Sequence, residues 1–261
     1  MSLWEALLLG VVQGATEFLP VSSSGHLVIT QALLGIRLPG VVFEVVVHLA
    51  TLVSILLVYR TRVASVARGF VTGEHGARSY VALLVLATLP AAVVGLLFED
   101  RVEALFDSPA VPGVALLVTG AVLWTARWAL ERTERPLPSG PGAFLVGVAQ
   151  ACALVPGISR SGSTVVAALW LRGDAEEAAA FSFLMAVPAI AGAAVLQIPE
   201  IGSGAGPGVA PLLAGGVAAA VTGVVAIRTF KAMLARRSFH LFAPYCWAVG
   251  GLYLLWLGLS P

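Results

Sequence analysis

Residues 10–28 read GVVQGATEFLPVSSSGHLV, and residues 147–165 read GVAQACALVPGISRSGSTV. Aligned without gaps, the two stretches share Gly10/Gly147, Val11/Val148, Gln13/Gln150, Ser22/Ser159, Ser24/Ser161, Gly25/Gly162 and Val28/Val165. Each begins apolar, breaks in a run of proline, glycine and serine, and turns apolar again. The breaks fall at 20–25 and 156–162. The arms around the second are short: at about 1.5 Å per residue, 142–155 rises about 21 Å and 164–171 about 12 Å. Neither crosses a hydrocarbon core of about 30 Å. The spacing predicts two helical hairpins that enter a membrane, turn at depth and leave on the side they entered. Irregular backbone at that depth is tolerated where it is buried in protein or lines a wet cavity.

The rest of the chain supplies the membrane. Of its 261 residues, 59% are hydrophobic and 11% charged, with a mean hydropathy of +0.95. Soluble domains carry about 25% charged residues. The composition predicts an all-α polytopic protein, one integral membrane domain over 1–261. A net charge of +1 leaves no basic footprint for nucleic acid. The N-terminus MSLWEALLLG has no basic region and carries Glu5, which argues against a cleaved signal peptide. Cys152 and Cys246 match no metal spacing and read as small buried hydrophobes.

Six segments are long enough to span: about 41–59, 80–98, 110–130, 178–198, 208–230 and 241–259. Arg60, Arg62, Arg68 and Arg78 follow the first. Arg127, Arg132 and Arg135 follow the third. Arg172 follows the second hairpin, and Arg228, Lys231, Arg236 and Arg237 separate the last two. All fall on one side if both hairpins return, and that side is cytoplasmic by the positive-inside rule. Arg37, Arg101 and the acidic stretch 99–107 fall outside. Three spans follow each hairpin, and three is odd. Two inverted-topology repeats result, about 1–135 and 136–261, with a binding site expected near the midplane. The tryptophans, with Tyr59 and Tyr80, fall near span ends and read as interfacial anchors.

Ionisable groups at membrane depth mark function by default. Glu17 lies one helical turn after Gln13 and is a candidate cation ligand or base, or an interfacial carboxylate. Ser22, Ser23 and Ser24 precede a helix beginning near Leu27, where capping accounts for at least one hydroxyl. His26 reads as a general acid, a nucleophile, a base for Ser23, or a hydrogen-bonded buried histidine. Arg160 pairs structurally with Glu17 or Glu44, or clamps a phosphate, which its planar fork suits. Ser159, Ser161, Ser163 and Thr164 surround it, and Gly157 and Gly162 bring backbone amides within reach of an anion. A second helix is expected to start near Ser163, so two helix N-termini face the same anion. Glu44 and His48, one turn apart, read as polar packing or as outer support for the site.

The motifs QGATEFLPVSSSGH and PGISRSGST resemble the two signatures of the undecaprenyl-diphosphatases, the bacitracin-resistance type of membrane phosphatase, over essentially the whole chain. Gln13 stands where many members carry glutamate. The resemblance implies hydrolysis of undecaprenyl diphosphate to undecaprenyl phosphate and inorganic phosphate, recycling the lipid carrier for peptidoglycan synthesis. It implies dependence on a divalent cation, Mg²⁺ or Ca²⁺, and a place in the bacterial plasma membrane with the site open to the outer side. Carried onto this chain, it makes Glu17, Ser23, His26 and Arg160 catalytic, with Glu17 at the metal. Gln13, Ser22, Ser24, Gly157, Ser159, Ser161 and Thr164 then bind substrate. Ser23 is the first choice of nucleophile and His26 the second, with direct attack by water a third alternative. The partners are the lipid substrate and the bilayer, and a homodimer is compatible with the sequence. The rival reading is an inverted-repeat transporter or lipid flippase for a phosphate-bearing substrate, which needs Arg160 but neither Ser23 nor His26.

Overall fold

The computed structural model describes residues 1–36, 41–132, 139–198 and 206–259, and among these every regular element is a helix. Arg37, Arg135 and the expected boundary between repeats lie outside the described residues. The helices are α1 (Leu3–Phe18), α2 (Ser23–Leu34), α3 (Val42–Val58), α4 (Arg60–Thr72), α5 (His75–Leu97) and α6 (Glu99–Phe106). There follow α7 (Ala110–Ala129), α8 (Gly140–Cys152), α9 (Arg160–Trp170), α10 (Ala175–Leu196), α11 (Val209–Ala235) and α12 (Phe242–Leu259). Single 3-10 turns, Leu130–Arg132 and Phe239–Leu241, follow α7 and precede α12.

Among the described residues five stretches are long and apolar enough to cross a membrane: α5, α7, α10, α11, and α12 with its preceding turn. A sixth counts if α3 is joined to α4 across a bend of 83°. The chain is therefore multi-pass. Its outer surface is apolar, with Val93, Leu97, Val217, Val221, Leu252 and Leu255 exposed as lipid-facing side chains are. The basic stretch after α3 is a helix, α4, and the acidic stretch 99–107 is largely helix α6. Cys152 is exposed rather than buried. Tyr59 and Tyr80 are buried in the protein rather than presented to lipid: Tyr59 packs against Phe183, and Tyr80 meets Phe181 edge-on beneath the Arg62 guanidinium.

Five of the described helices start on a polar cap. Ser2 and Glu5 form a capping box on α1, and Asp174 accepts from the amides of Glu176 and Glu177 at the head of α10. Ser22, Ser139 and Ser159 cap α2, α8 and α9. Helices α2 and α9 thus begin at Ser23 and Arg160, three or four residues earlier than the sequence suggested, because the first serine of each cluster takes the cap.

Between helices in lipid there is little hydrophobic driving force, so close backbone approach carries the packing. α1 lies against α11, and α8 against α5. A Cβ on Gly10 would collide with the carbonyl of Gly215, and one on Gly14 with that of Ala219. One on Gly147 would collide with the carbonyl of Ala87. The aligned glycines 10 and 147 thus make the same contact, each with the second long helix that follows the other hairpin. Beneath the site a chain of edge-on rings, Phe18–Phe183–Phe230–Phe239, joins α1, α10, α11 and the turn before α12 at centroid distances of 5.5, 5.1 and 5.3 Å.

Candidate functional site

The two serine-rich breaks meet. The amide of Gly157 donates to Ser22 Oγ at 3.1 Å, and Ser161 Oγ donates to the carbonyl of Leu19 at 3.2 Å. Gly157 has φ +101°, a conformation that favours glycine, and its Cβ position would fall on Pro112 and Ala115 of α7. Thr119 pins this turn from α7: its hydroxyl donates to the Gly157 carbonyl at 2.7 Å and accepts from the Ser159 amide at 3.0 Å. Thr119 is the midpoint of α7, so the junction lies level with the middle of a spanning helix.

The aligned serines repeat one pattern on both sides. Ser22 Oγ accepts from the Gly25 amide and lies 3.3 Å from Ser24 Oγ. Ser159 Oγ accepts from the Gly162 amide and lies 3.3 Å from Ser161 Oγ. Ser22, Ser159, Ser161 and Thr164 are buried. Thr164 donates to the Arg160 carbonyl at 2.7 Å and pairs with Ser182 Oγ at 2.6 Å. These hydroxyls, with the amides of Gly157 and Gly162, hold the two turns in shape. Ser23, Ser24, Arg160 and Ser163 are the partly exposed members.

Glu17 is the hub. Its Oε1 accepts from Arg160 Nη2 at 2.5 Å; the side chains are 7% and 17% exposed. Its Oε2 accepts from Ser23 Oγ at 2.6 Å and from Gln13 Nε2 at 3.0 Å. Arg160 Nη1 reaches the Ser182 carbonyl at 3.4 Å. Of the two partners open to Arg160, the structure chooses Glu17 over Glu44. A buried guanidinium without a carboxylate is costly, and this pair satisfies both across the two hairpins. His48 Nε2 lies 4.0 Å from Glu17 Oε2, while its Nδ1 donates to the Glu44 carbonyl at 2.8 Å. Ser23 therefore has a carboxylate in hydrogen-bond reach, that of Glu17. His26 bonds elsewhere: Nδ1 to the Ser22 carbonyl at 2.8 Å and Nε2 to the Tyr245 hydroxyl at 2.9 Å.

A cation would find an unsatisfied oxygen beside Glu17. Gln13 Oε1 is buried without a hydrogen-bond partner, beside the carboxylate that its own Nε2 engages. Among the described residues no group of three or more His, Cys, Asp or Glu side chains gathers. The donor set, one carboxylate and one amide oxygen, suits a hard cation that draws its other oxygens from a phosphate or water. Sequence reasoning missed Thr119, Ser182 and Tyr245. Each is a single hydroxyl on an apolar helix, brought in by tertiary packing alone.

The family described as bacitracin resistance protein BacA matches residues 6–252 of the chain. An undecaprenyl-diphosphatase of Desulfatibacillum aliphaticivorans is 40% identical over 96% of this chain and 97% of its own length. One from Salinibacter ruber is 43% identical over 98% and 100%. One from Alkaliphilus metalliredigens is 38% identical over 98% of each.

Proposed function

The chain belongs to the bacitracin resistance protein BacA family, and on that premise we propose that it hydrolyses undecaprenyl diphosphate to undecaprenyl phosphate and inorganic phosphate. The carrying observation is the Glu17 carboxylate, shared between the Ser23 hydroxyl and the Arg160 guanidinium at the meeting of the two hairpins.

Ser23 Oγ attacks the terminal phosphorus while Glu17 Oε2 takes its proton. The bond to the bridging oxygen breaks and undecaprenyl phosphate leaves. Water then releases phosphate from Ser23 and the hydroxyl is regenerated. Arg160 and the first amides of α2 and α9, which lack a carbonyl one turn earlier, meet the charge on the phosphate oxygens. Most of the catalysis is positioning and charge stabilisation. Mg²⁺ or Ca²⁺ would rest on Glu17 and Gln13 Oε1, where its charge neutralises phosphate oxygens. His26 serves the substrate side of the site, since neither of its nitrogens engages Ser23.

The reading carries a topology: six spans (α3, α5, α7, α10, α11 and α12) and two re-entrant hairpins (α1–α2 and α8–α9) in two inverted repeats, 1–135 and 136–261. Helices of 12, 13 and 11 residues support the hairpins, being too short to span separately, and the 16-residue α1 stops just before the break at Pro20. The paired contacts of Gly10 and Gly147 support the inversion. The protein would lie in the bacterial plasma membrane, basic segments inside and the site open to the outer side. An apolar groove of about 540 Å³ between α1 and α11, lined by Leu7, Val11, Leu213 and Val217, offers the prenyl chain a lateral seat.

The test is phosphate release from undecaprenyl diphosphate by the purified protein, S23A and R160A, with Mg²⁺, Ca²⁺ or EDTA. Cation-dependent release lost in both variants supports one site built from two hairpins. No release by folded protein would move the assignment to a transporter or flippase, to be followed by flux in proteoliposomes.

A further inference from the structure

His26 is held at both ring nitrogens. Nδ1 lies 2.8 Å from the Ser22 carbonyl, which only accepts, so Nδ1 carries the proton. In the neutral ring Nε2 is then the acceptor. Its donor is the Tyr245 hydroxyl at 2.9 Å. The rings lie parallel, 5° apart in plane and 5.7 Å between centroids. The partners are 219 residues apart in the chain. Trp247 Nε1 donates to the Leu117 carbonyl at 3.1 Å, which sets this turn of α12 level with the middle of α7 and hence with the hairpin junction.

Packing alone does not explain this tyrosine. It is 45% exposed, whereas His26 is 9% exposed, and its hydroxyl is committed to a single imidazole. A phenylalanine would fill the same space. We propose that Tyr245 is a positioning residue for His26: its hydroxyl holds Nε2 as an acceptor and so fixes one tautomer and one ring orientation at the junction where the diphosphate head arrives. The assignment rests on the diphosphatase reading of the site. Glu17 serves Ser23, so the imidazole is left for the substrate, and Tyr245 decides where its nitrogen points.

The experiment is a double-mutant cycle on the full-length purified protein with undecaprenyl diphosphate: Y245F, H26A and the double variant. Y245F keeps the ring stack and loses the hydroxyl. Its kcat is expected to fall about tenfold, the scale of one hydrogen bond, with KM within about twofold. If Tyr245 acts through His26, the double variant turns over no more slowly than H26A alone. Losses that multiply, or unchanged kcat in Y245F, would overturn the proposal.

A second readout needs no turnover. Histidine ¹⁵N spectra of the substrate-free protein, with the His26 signal identified by its loss in H26A, should show the proton on Nδ1 and Nε2 as an acceptor. The Nε2 resonance should move in Y245F. A proton on Nε2, or a resonance indifferent to Y245F, overturns the assignment even if Y245F proves unstable in assay. Wild-type protein that released no phosphate would sink the diphosphatase reading, and the spectra would still decide Tyr245.

Discussion

Replacing Arg160 with methionine tests the hub from both sides of its ledger. The substitution keeps an unbranched chain and removes the charge. It leaves Glu17, only 7% exposed, without its 2.5 Å partner. Breaking a buried pair by removing one member costs about 3–5 kcal/mol, most of it the stranded charge. Glu17 retains two donors, Ser23 Oγ and Gln13 Nε2, so the loss should lie near the lower end, about 3 kcal/mol. Neutralising the stranded group as well, in E17Q/R160M, should recover about 2 kcal/mol of that loss. Turnover should behave differently. It should fall about 10³-fold in R160M, by the scale of arginine in other phosphoryl transfers, and should not recover in the double variant. The assays are unfolding free energy by denaturant titration in mixed micelles and phosphate release under the same conditions. R160M as stable as wild type, or a double variant less stable than R160M, would refute the buried pair. Near-normal turnover in folded R160M would refute the clamp.

Other expectations follow from single contacts. Rapid quenching with substrate labelled in its terminal phosphate should trap phosphoserine at Ser23 and none in S23A; phosphohistidine at His26 would transfer the nucleophile there. Exchanging Gly147 for leucine drives a side chain into the Ala87 carbonyl, and the overpacking should cost about 1–3 kcal/mol or more, read as a lowered unfolding temperature; an unchanged temperature would mean that α8 does not lie on α5 as described. Arg62 holds Glu177 by two parallel bonds of 2.7 and 2.6 Å from α4 to α10; both side chains keep about a third or a quarter of their exposure, so R62A should cost only about 1 kcal/mol, and a cost above about 3 would point to a deeper role. In a cysteine-free background, S65C on the exposed face of α4 should react with impermeant maleimide only from the cytoplasmic side; labelling from outside would invert the proposed topology.

Much of this was legible because membranes make polar residues conspicuous. Glu17, the serine runs and Arg160 stood out against apolar sequence, and the proline, glycine and serine breaks marked the turns between α1 and α2 and between α8 and α9. Helix starts were less legible, because a run of three serines does not say which one caps; the structure gives that role to the first, Ser22, and to its counterpart Ser159. α4 was unreadable as a helix, since Arg60, Arg62 and Arg68 made it look like a charged connection. Its apolar Val63 and Val66, which pack on the core, are too few to outvote them. The assignment of His26 as a base for Ser23 rested on closeness in sequence. Nearness along the chain did not decide it: the Ser22 carbonyl and Tyr245 occupy both nitrogens, and Glu17 reaches the serine first. No local pattern could have announced Tyr245, Thr119 or Ser182, whose contribution lies in contacts made across the bundle.

The close crossing of Gly10 on Gly215 has a consequence in time. The ribosome makes α1 first, yet the helix that receives it emerges about 200 residues later. At about 5–20 residues per second, α1 waits roughly 10–40 s for its partner. During that wait Glu17 lacks Arg160 as well. Helix α1 must therefore wait without the helix that receives it until the last third of the chain arrives. Two halves made as separate polypeptides would escape that order, and each would carry the other's missing wall.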